Sequence, residues 1–168
     1  MIEPSAIVVA VNVSAGGIPK FSVDAGSVRG PGLEGDAHNH EKHNSPLQAL
    51  SLIDLEDLDD LRHEGFDVFP GATGENITVR GVNIDARDIG DRIRFSGGVE
   101  IELTKRRKPC YVLDAIDPEL KNVIVGRCGY LAKVIAPGTI RAGETVTVIS
   151  ALHRRVAEAT SPIEAHSA

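Results

Sequence analysis

The chain has 168 residues, of which 42% are hydrophobic, and it carries a formal net charge of −6. This length and composition predict one domain with a sizeable core, spanning residues 1–150, while the acidic balance argues against general binding of nucleic acid. The amino terminus lacks the pattern of a signal peptide, and no apolar run is long enough to cross a bilayer, so we expect no membrane partner. The two cysteines form no CxxC pair and no dense disulfide pattern, which fits a cytoplasmic protein.

Short apolar stretches separated by turn residues dominate the chain. They either alternate apolar and polar side chains or are rich in β-branched residues, and both patterns are typical of strands. Glycine-containing turns separate them. The predicted strands cover residues 7–13, 76–80, 92–96, 99–104, 130–135 and 145–149. This spacing predicts a mostly β protein, a β-barrel or a sandwich, rather than a doubly wound α/β sheet.

One or two short helices interrupt the strands. The first is predicted from Asp54, as the N-cap, to Gly65, because three leucines at helical spacing share one side. The acidic residues early in this helix suit the positive end of its dipole, and we interpret them as a solvated face rather than a metal site. A second helix is predicted over residues 117–124, where an aspartate is followed by proline. The polar, alanine-rich segment 151–168 is expected to be a flexible tail.

A lone thiol follows four consecutive cationic side chains in Lys105-Arg106-Arg107-Lys108-Pro109-Cys110. If the preceding strand kept its pleat, Arg106 and Lys108 would share a face with Cys110. Lys105 and Arg107 would then turn towards the apolar face, where unpaired charges are costly, so we expect a bulge or a strand end here. Nearby cations favour the thiolate form of Cys110, and so local a basic run indicates a small anionic partner. The alternative is a solvated strand with an inert cysteine.

A second cluster, Gly32-Leu33-Glu34-Gly35-Asp36-Ala37-His38-Asn39-His40-Glu41-Lys42-His43, combines two glycines with imidazole and carboxylate groups. His38 and His40 would share a face in an extended segment. With Asp36 or His43 they offer enough ligands for zinc, although the spacing matches no standard zinc pattern. The alternative is a polar loop whose side chains satisfy backbone groups.

Two further loops are rich in glycine. In Pro70-Gly71-Ala72-Thr73-Gly74-Glu75-Asn76-Ile77, backbone N–H groups could face an anion, while Glu75 and Asn76 could bind the edge of a heterocycle. In Gly126-Arg127-Cys128-Gly129, Arg127 could hold an anion through two parallel hydrogen bonds. Neither loop is a Walker loop or a dinucleotide fingerprint, and each taken alone could be an ordinary turn.

Five short motifs occur in a fixed order along the chain. They are Gly-Leu-Glu-Gly-Asp-x-His at 32–38, Gly-Glu-Asn at 74–76, Pro-Cys at 109–110, Gly-Arg-x-Gly at 126–129 and Pro-Gly-Thr-Ile-Arg-Ala-Gly at 137–143. In this order they resemble the MOSC domain family, named for the carboxy-terminal part of molybdenum cofactor sulfurases. The resemblance covers residues 6–150. It implies a small stand-alone, bacterial-type member with a mostly β fold built around a barrel like that of pyruvate kinase.

The resemblance also implies that the chain binds the molybdenum cofactor, an anionic complex of molybdenum with a phosphorylated pterin. Cys110 matches the functional cysteine of the family, which is either a ligand to molybdenum or the carrier of a persulfide. The residues that we assign to the cofactor are Asp36, His38, Glu75, Asn76, Arg106, Lys108 and Arg127. The three cationic ones are candidates for its phosphate, and the other four for the pterin or for supporting contacts.

The activity expected from the resemblance is reduction of N-hydroxylated compounds at the metal. Alternatives are a sulfur carrier that holds a Cys110 persulfide for cofactor sulfuration, and a non-catalytic module that binds or delivers the cofactor. A zinc hydrolase using His38, His40 and His43 would leave the Cys and Arg motifs unexplained. The chain has no room for a pyridoxal-phosphate desulfurase domain, so a separate sulfurase or electron-donor protein is an expected partner. Cys128, where relatives commonly carry a basic residue, could resolve a persulfide or form a disulfide with Cys110.

Overall fold

The computed structural model describes residues 5–37 and 45–161, and within these ranges the chain is mostly β with three α-helices. The strands are β1 (Ile7–Val13), β2 (Phe21–Val23), β3 (Ala25–Arg29), β4 (Gly32–Leu33), β5 (Leu50–Asp54), β6 (Ile77–Arg80), β7 (Arg92–Phe95), β8 (Glu100–Arg106), β9 (Tyr130–Ala136), β10 (Gly138–Arg141) and β11 (Val146–Ile149). The helices are α1 (Leu55–His63), α2 (Leu120–Val123) and α3 (Ala151–Thr160). Short 3₁₀ turns occupy Pro46–Gln48, Ile84–Ala86 and Tyr111–Ala115. The prediction of a mostly β protein is confirmed.

Two sheets carry the strands. The larger has eight strands in the order β11-β7-β8-β9-β5-β6-β1-β2, and the smaller has three in the order β10-β3-β4. The sheets do not close into the predicted barrel in the described part of the chain. The segment before β11 meets the start of β1 at one isolated bridge, between Ile7 and Thr145, and backbone hydrogen bonds join residues 143–146 to residues 6–8. Barrel closure would need a continuous ladder between the two ends of the large sheet, but β11 is an edge strand whose one ladder partner among the described strands is β7.

Strand β5 lies at the centre of the large sheet and was not predicted. It pairs in parallel with β6 and antiparallel with β9, and all five of its residues are buried. A strand covered on both faces lacks the alternation that identifies half-buried strands. Its central position matters, because β5 leads directly into α1 and lies beside β9.

Helix α1 confirms the predicted first helix, but its start is built differently. Asp54 precedes the helix in an extended conformation without capping it through its side chain. Its Oδ2 instead accepts a hydrogen bond of 2.5 Å from the backbone N–H of Ile84, thirty residues further along the chain. Asp54 therefore joins the start of α1 to a distant 3₁₀ turn.

The hydrophobic core has two parts. The larger lies between the sheets and includes Leu52, Ile101 and Tyr130, which are fully buried. The smaller lies under the helices and has nine buried members, namely Ile53, Leu58, Leu61, Val68, Ala72, Leu113, Leu120, Ile124 and Cys128. The second predicted helix is reduced to the single turn α2 within this part.

The segment predicted to be a flexible tail differs from that prediction over its first ten residues, which form α3. Ser150 caps the helix by accepting a hydrogen bond from the backbone N–H of His153. The backbone N–H of Ala151 also donates to Asp91 Oδ1 at 2.8 Å, and Arg154 donates to the carbonyl of Gly90. These contacts with a distant loop supply the order that the local sequence pattern did not indicate. Among the described residues, none of the helices has the length and apolar character needed to span a membrane.

Candidate functional site

The basic run from Lys105 to Cys110 lies where β8 ends. The register between β8 and β9 shifts between Leu103 and Lys105, and the strand ends at Arg106. Cys110 then precedes the 3₁₀ turn. The structure therefore contains both the bulge and the strand end that the charge pattern predicted, and they release the cationic side chains from the apolar face.

Cys110 is exposed and lies on the wall of a cavity of about 600 Å³. This volume falls in the usual range of small-molecule sites. The cationic side chains that line the same cavity are Lys20, Lys105, Arg106, Arg107 and Lys108. Within the described ranges no aspartate or glutamate lines it. A chain with a net charge of −6 thus has a concave surface of the opposite sign, which attracts anions.

Arg107 crosses the floor between two loops. It donates one hydrogen bond of 3.0 Å to the carbonyl of Cys128 and another of 3.0 Å to the carbonyl of Thr73. Its own backbone N–H donates to the carbonyl of Gly129. The pleat argument predicted a bulge or a strand end because an unpaired Arg107 on the apolar face would be costly; the bulge is present, and two carbonyls also pair with the guanidinium. It was not among the assigned site residues, although it belongs to the predicted run.

Arg106 is held by the segment around the 3₁₀ turn Ile84–Ala86. Its guanidinium donates to the carbonyls of Asp85 at 2.8 Å and Arg87 at 3.2 Å, and lies 4.9 Å from the centre of the Tyr130 ring. The Tyr130 hydroxyl also donates to the carbonyl of Arg87 at 2.6 Å. These contacts fix the position of the guanidinium beside the cavity. Lys105 and Lys108 are both exposed on the same run.

Asp36 lies behind the lining and does not reach the cavity. Its Oδ2 accepts hydrogen bonds from Lys20 Nζ at 2.5 Å and from Asn76 Nδ2 at 2.9 Å, while Oδ1 accepts one from the backbone N–H of Ser14. Asn76 lines the cavity, and its Oδ1 accepts from the backbone N–H of Ser51. Asp36 therefore holds two lining residues, Lys20 and Asn76, in place. No local sequence signal pointed to Lys20.

Glu75 is fully buried and shapes the glycine-rich loop. Its carboxylate accepts hydrogen bonds from the backbone N–H of Gly71 at 2.6 Å and from the hydroxyls of Thr73 and Thr78. Gly71 has a φ of +92°, and a Cβ there would collide with the carbonyl oxygen of Lys20. Glu75 therefore stabilises the loop that presents Thr73, Gly74 and Asn76 to the cavity, rather than facing the cavity itself.

Arg127 does not line the cavity. Its guanidinium makes two hydrogen bonds with Glu64, of 2.9 and 3.2 Å, and one with the carbonyl of Val123. The two parallel hydrogen bonds expected for a bound anion are thus made with a carboxylate of the protein. Of the other assigned residues, His38 lies outside the described residues, as do His40 and His43.

Cys128 is the second thiol on this cavity. It is buried, and its Sγ lies 3.5 Å from the carbonyl of Ile124. Burial raises the pKa of the Cys128 thiol to about 11, against the opposing effect of the Arg107 charge. Cys128 is therefore a protonated thiol at neutral pH. It is not joined to Cys110 by a disulfide.

The chain is similar to known proteins in sequence and in fold. Residues 39–147 match the model of the MOSC domain. A protein of Gibberella moniliformis named "Reductase" is 28% identical, over 70% of this chain and 22% of its own length. The chain thus spans about a fifth of that curated relative.

Solved bacterial structures share the fold. YuaD of Bacillus subtilis superposes with a TM-score of 0.73 at 19% identity, over 88% of this chain and 97% of its own. YiiM of Escherichia coli superposes with a TM-score of 0.65 at 23% identity, over 96% of this chain and 81% of its own. YiiM of Geobacillus stearothermophilus superposes with a TM-score of 0.70 at 21% identity, over 92% of this chain and 84% of its own. With the match to the family model covering well over half of its length, the chain belongs to the MOSC domain family.

Proposed function

We propose that this protein binds the molybdenum cofactor in the cationic cavity, with Cys110 as the ligand to molybdenum, and that it reduces N-hydroxylated compounds there. One observation carries the proposal: an exposed thiol shares a cavity with five cationic side chains and, in the described part of the chain, with no carboxylate. Membership of the MOSC domain family supports the molybdenum cofactor as the bound anion.

The residues present fit the group in charge and in chemistry. Thiolates are soft ligands that suit a thiophilic metal centre. Lys105 and Lys108 have exposed ammonium groups near Cys110 in sequence, and such groups can bind a phosphate and offset the negative charge of a thiolate. Arg107 has two of its donors fixed on carbonyls, so its charge is held against the cavity wall. Asn76 offers an amide beside them for a polar ring edge.

The reductase activity is supported by the name of the fungal relative and by the family. When bound, the cofactor would supply two electrons for cleaving an N–O bond, and the products with two protons are the reduced nitrogen compound and water. The protein's own part is to hold the anionic cofactor and to leave an open approach. The apolar residues Leu50, Leu113, Ile124 and Leu131 line the same cavity and would accommodate the carbon skeleton of a substrate.

The test compares the two thiols. Wild type, Cys110→Ala and Cys128→Ala are produced in a host that makes the cofactor, and bound molybdenum, bound pterin and hydroxylamine reduction with an artificial electron donor are measured. We expect Cys110→Ala to lose molybdenum and reduction, and Cys128→Ala to retain molybdenum. Folded wild type without molybdenum and pterin would contradict the proposal, and so would loss of molybdenum from Cys128→Ala alone.

A second candidate is a carrier that holds a persulfide on Cys110. It is supported by the exposure of Cys110, which a separate sulfurase could reach, and by the second thiol on the same cavity. It predicts a mass increase of one sulfur atom on Cys110 after incubation with a cysteine desulfurase and cysteine, removable by a thiol reductant. A cofactor-delivery module instead predicts molybdenum binding without reduction of any hydroxylated substrate.

A further inference from the structure

A second charged cluster lies outside the cationic cavity. Asp54 ends β5, Asp57 lies in the first turn of α1, and Asp85 lies in the 3₁₀ turn Ile84–Ala86. Each of the three offers a carboxylate oxygen, and these oxygens all lie within 4.8 Å of one another. The early acidic residues of α1 were interpreted as a solvated face, but Asp57 is only partly exposed and faces two other carboxylates.

One of these carboxylates is incompletely satisfied. Asp54 is 3% exposed; its Oδ2 accepts a hydrogen bond from the backbone N–H of Ile84, and the backbone N–H of Asn83 also lies close enough to lower the pKa of the carboxyl. Its Oδ1 is shielded from solvent and has no hydrogen-bond partner. A buried carboxylate oxygen without a donor is costly, and the cost grows when two further carboxylates lie within 4.8 Å.

Neighbouring cationic groups do not balance the cluster. Arg127 is the cation that faces Asp57, and its guanidinium is already bonded to Glu64 and to the carbonyl of Val123. Glu56, which also faces Asp54, adds negative charge and accepts from the backbone N–H of Gly81. Asp85 Oδ1 receives a single backbone donor, Gly129 N–H, at 3.2 Å.

We infer that Asp54, Asp57 and Asp85 form a binding site for a hard divalent cation of the Mg²⁺, Ca²⁺ or Mn²⁺ class. The donors are all carboxylate oxygens, which these ions prefer, and the set has none of the thiolate or imidazole ligands typical of zinc. Oxygens that surround one such ion at roughly 2.1–2.6 Å lie within about 4–5 Å of each other, which matches the observed grouping. The ion would supply the missing partner of Asp54 Oδ1.

The location gives the ion a structural role. The carbonyl of Asp85 receives a hydrogen bond from Arg106, and its side chain receives one from Gly129, the residue after Cys128. An ion on the Asp85 carboxylate would tie the β5–α1 junction to a turn that holds one wall of the cationic cavity. This role does not depend on which anion the cavity binds.

The test measures the binding of Mn²⁺ directly, by electron paramagnetic resonance. The protein is first dialysed against a chelator to remove bound metal. We expect one site, displaced by Mg²⁺ or Ca²⁺, and a rise of the melting temperature with metal concentration. Asp57→Asn should weaken Mn²⁺ binding at least tenfold. The matched control is Asp60→Asn on the exposed side of the same helix, which should bind Mn²⁺ as wild type does.

Two results would overturn the inference. One is folded wild type that binds no Mn²⁺ at millimolar concentration, which would mean that shared protons alone stabilise the cluster. The other is Asp57→Asn that binds Mn²⁺ as tightly as wild type. If Asp57→Asn does not fold, Asp85→Asn takes its place. Nuclear magnetic resonance of wild type adds a test without any variant: Mn²⁺ should broaden the amide signals of Ile84 and Gly129 first, and broadening that begins elsewhere would count against the site.

Discussion

The protein holds two charge clusters of opposite sign, and they meet at the turn that contains Asp85. On one side, five cationic side chains line a wide cavity around Cys110. On the other, two further carboxylates lie close to that of the buried Asp54. Asp85 belongs to both regions, because its carbonyl accepts from Arg106 and its carboxylate lies in the acidic cluster. The net charge of −6 reveals neither region, since each is defined by local segregation of charge.

The two regions differ in how strongly water screens them. Lys105, Arg106 and Lys108 are exposed, so their mutual repulsion is weakened by solvent and salt, and the cavity can remain open for an exchangeable ligand. Asp54 is buried, so repulsion from Asp57 and Asp85 is less screened. We therefore expect the cationic cavity to govern ligand binding and the acidic cluster to govern stability.

The largest effect is expected from a substitution that disturbs both regions. Gly129 donates to Asp85, accepts from Arg107, and has a φ of +77°. Gly129→Ala would drive a Cβ into the carbonyl oxygen of Leu52, so we expect a loss of about 4 kcal/mol or more in the free energy of unfolding. The matched control is Gly126→Ala, where φ is +82° but the space is open, with an expected loss of about 1–2 kcal/mol. Urea unfolding measures both, and equal losses would contradict the proposed collision.

A smaller effect should separate the cavity from the rest of the surface. Lys108→Glu places a negative charge beside Cys110, and we expect at least tenfold weaker binding of pyrophosphate, about 1.4 kcal/mol, by isothermal titration calorimetry. Arg155→Glu makes the same change of charge on the exposed side of α3 and should leave the affinity nearly unchanged. Equal losses in the two variants would mean that net charge, rather than the cavity, attracts the anion.

A pH-dependent effect should separate the acidic cluster from the cavity. Burial, with smaller repulsion from Glu56 and Asp85, raises the pKa of Asp54 from 3.8 to about 6. Burial, a side-chain hydrogen bond with Asp85 and repulsion from the neighbouring carboxylates raise the pKa of Asp57 from 3.8 to about 8. The folded state then binds protons more tightly than the unfolded state, so in the presence of a chelator stability should fall as pH rises from about 4 to 8. Asp57→Asn should flatten this fall in urea unfolding at pH 5 and pH 8. A stability that rises over this range in wild type would contradict the prediction.

The smallest signal is expected from Cys128. With a pKa of about 11, roughly one thiol in a thousand is ionised at pH 8, so alkylation of Cys128 should be very slow there and accelerate towards pH 11. Cys110→Ala leaves Cys128 as the remaining cysteine of the chain, and iodoacetamide labelling followed by mass spectrometry gives its rate. Rapid labelling of folded protein at pH 8 would show that Arg107 outweighs burial.

Local patterns were enough to predict several elements and one side of the site. Alternation identified β8, charge along the run required the observed bulge, and three leucines at helical spacing identified α1. The ordered motifs indicated the family, which the match over residues 39–147 confirms. The fully buried β5 was missed, because a strand covered on both faces has no period of two to detect.

The assignment of individual site residues depended on contacts that no local pattern encodes. Arg127 carries a motif suited to an anion, yet its partner is Glu64, 63 residues away in sequence. Lys20 is held at the cavity by its ion pair with Asp36. Glu75 was assigned to the cofactor, but its carboxylate accepts a hydrogen bond from the backbone N–H of Gly71 within its own loop. Each of these roles follows from which donor and acceptor the fold brings within hydrogen-bonding distance.

The sequence by itself determined a mostly β chain, its family, and a thiol placed after four cations, because periodicity and motif order are properties of neighbouring residues. Only the tertiary structure decided that Arg107 spans two loops, that Cys128 shares the cavity of Cys110, and that Asp54, Asp57 and Asp85 converge. The physical reason is that charge interactions depend on distance and burial, and both are set by strands and turns that lie far apart along the chain.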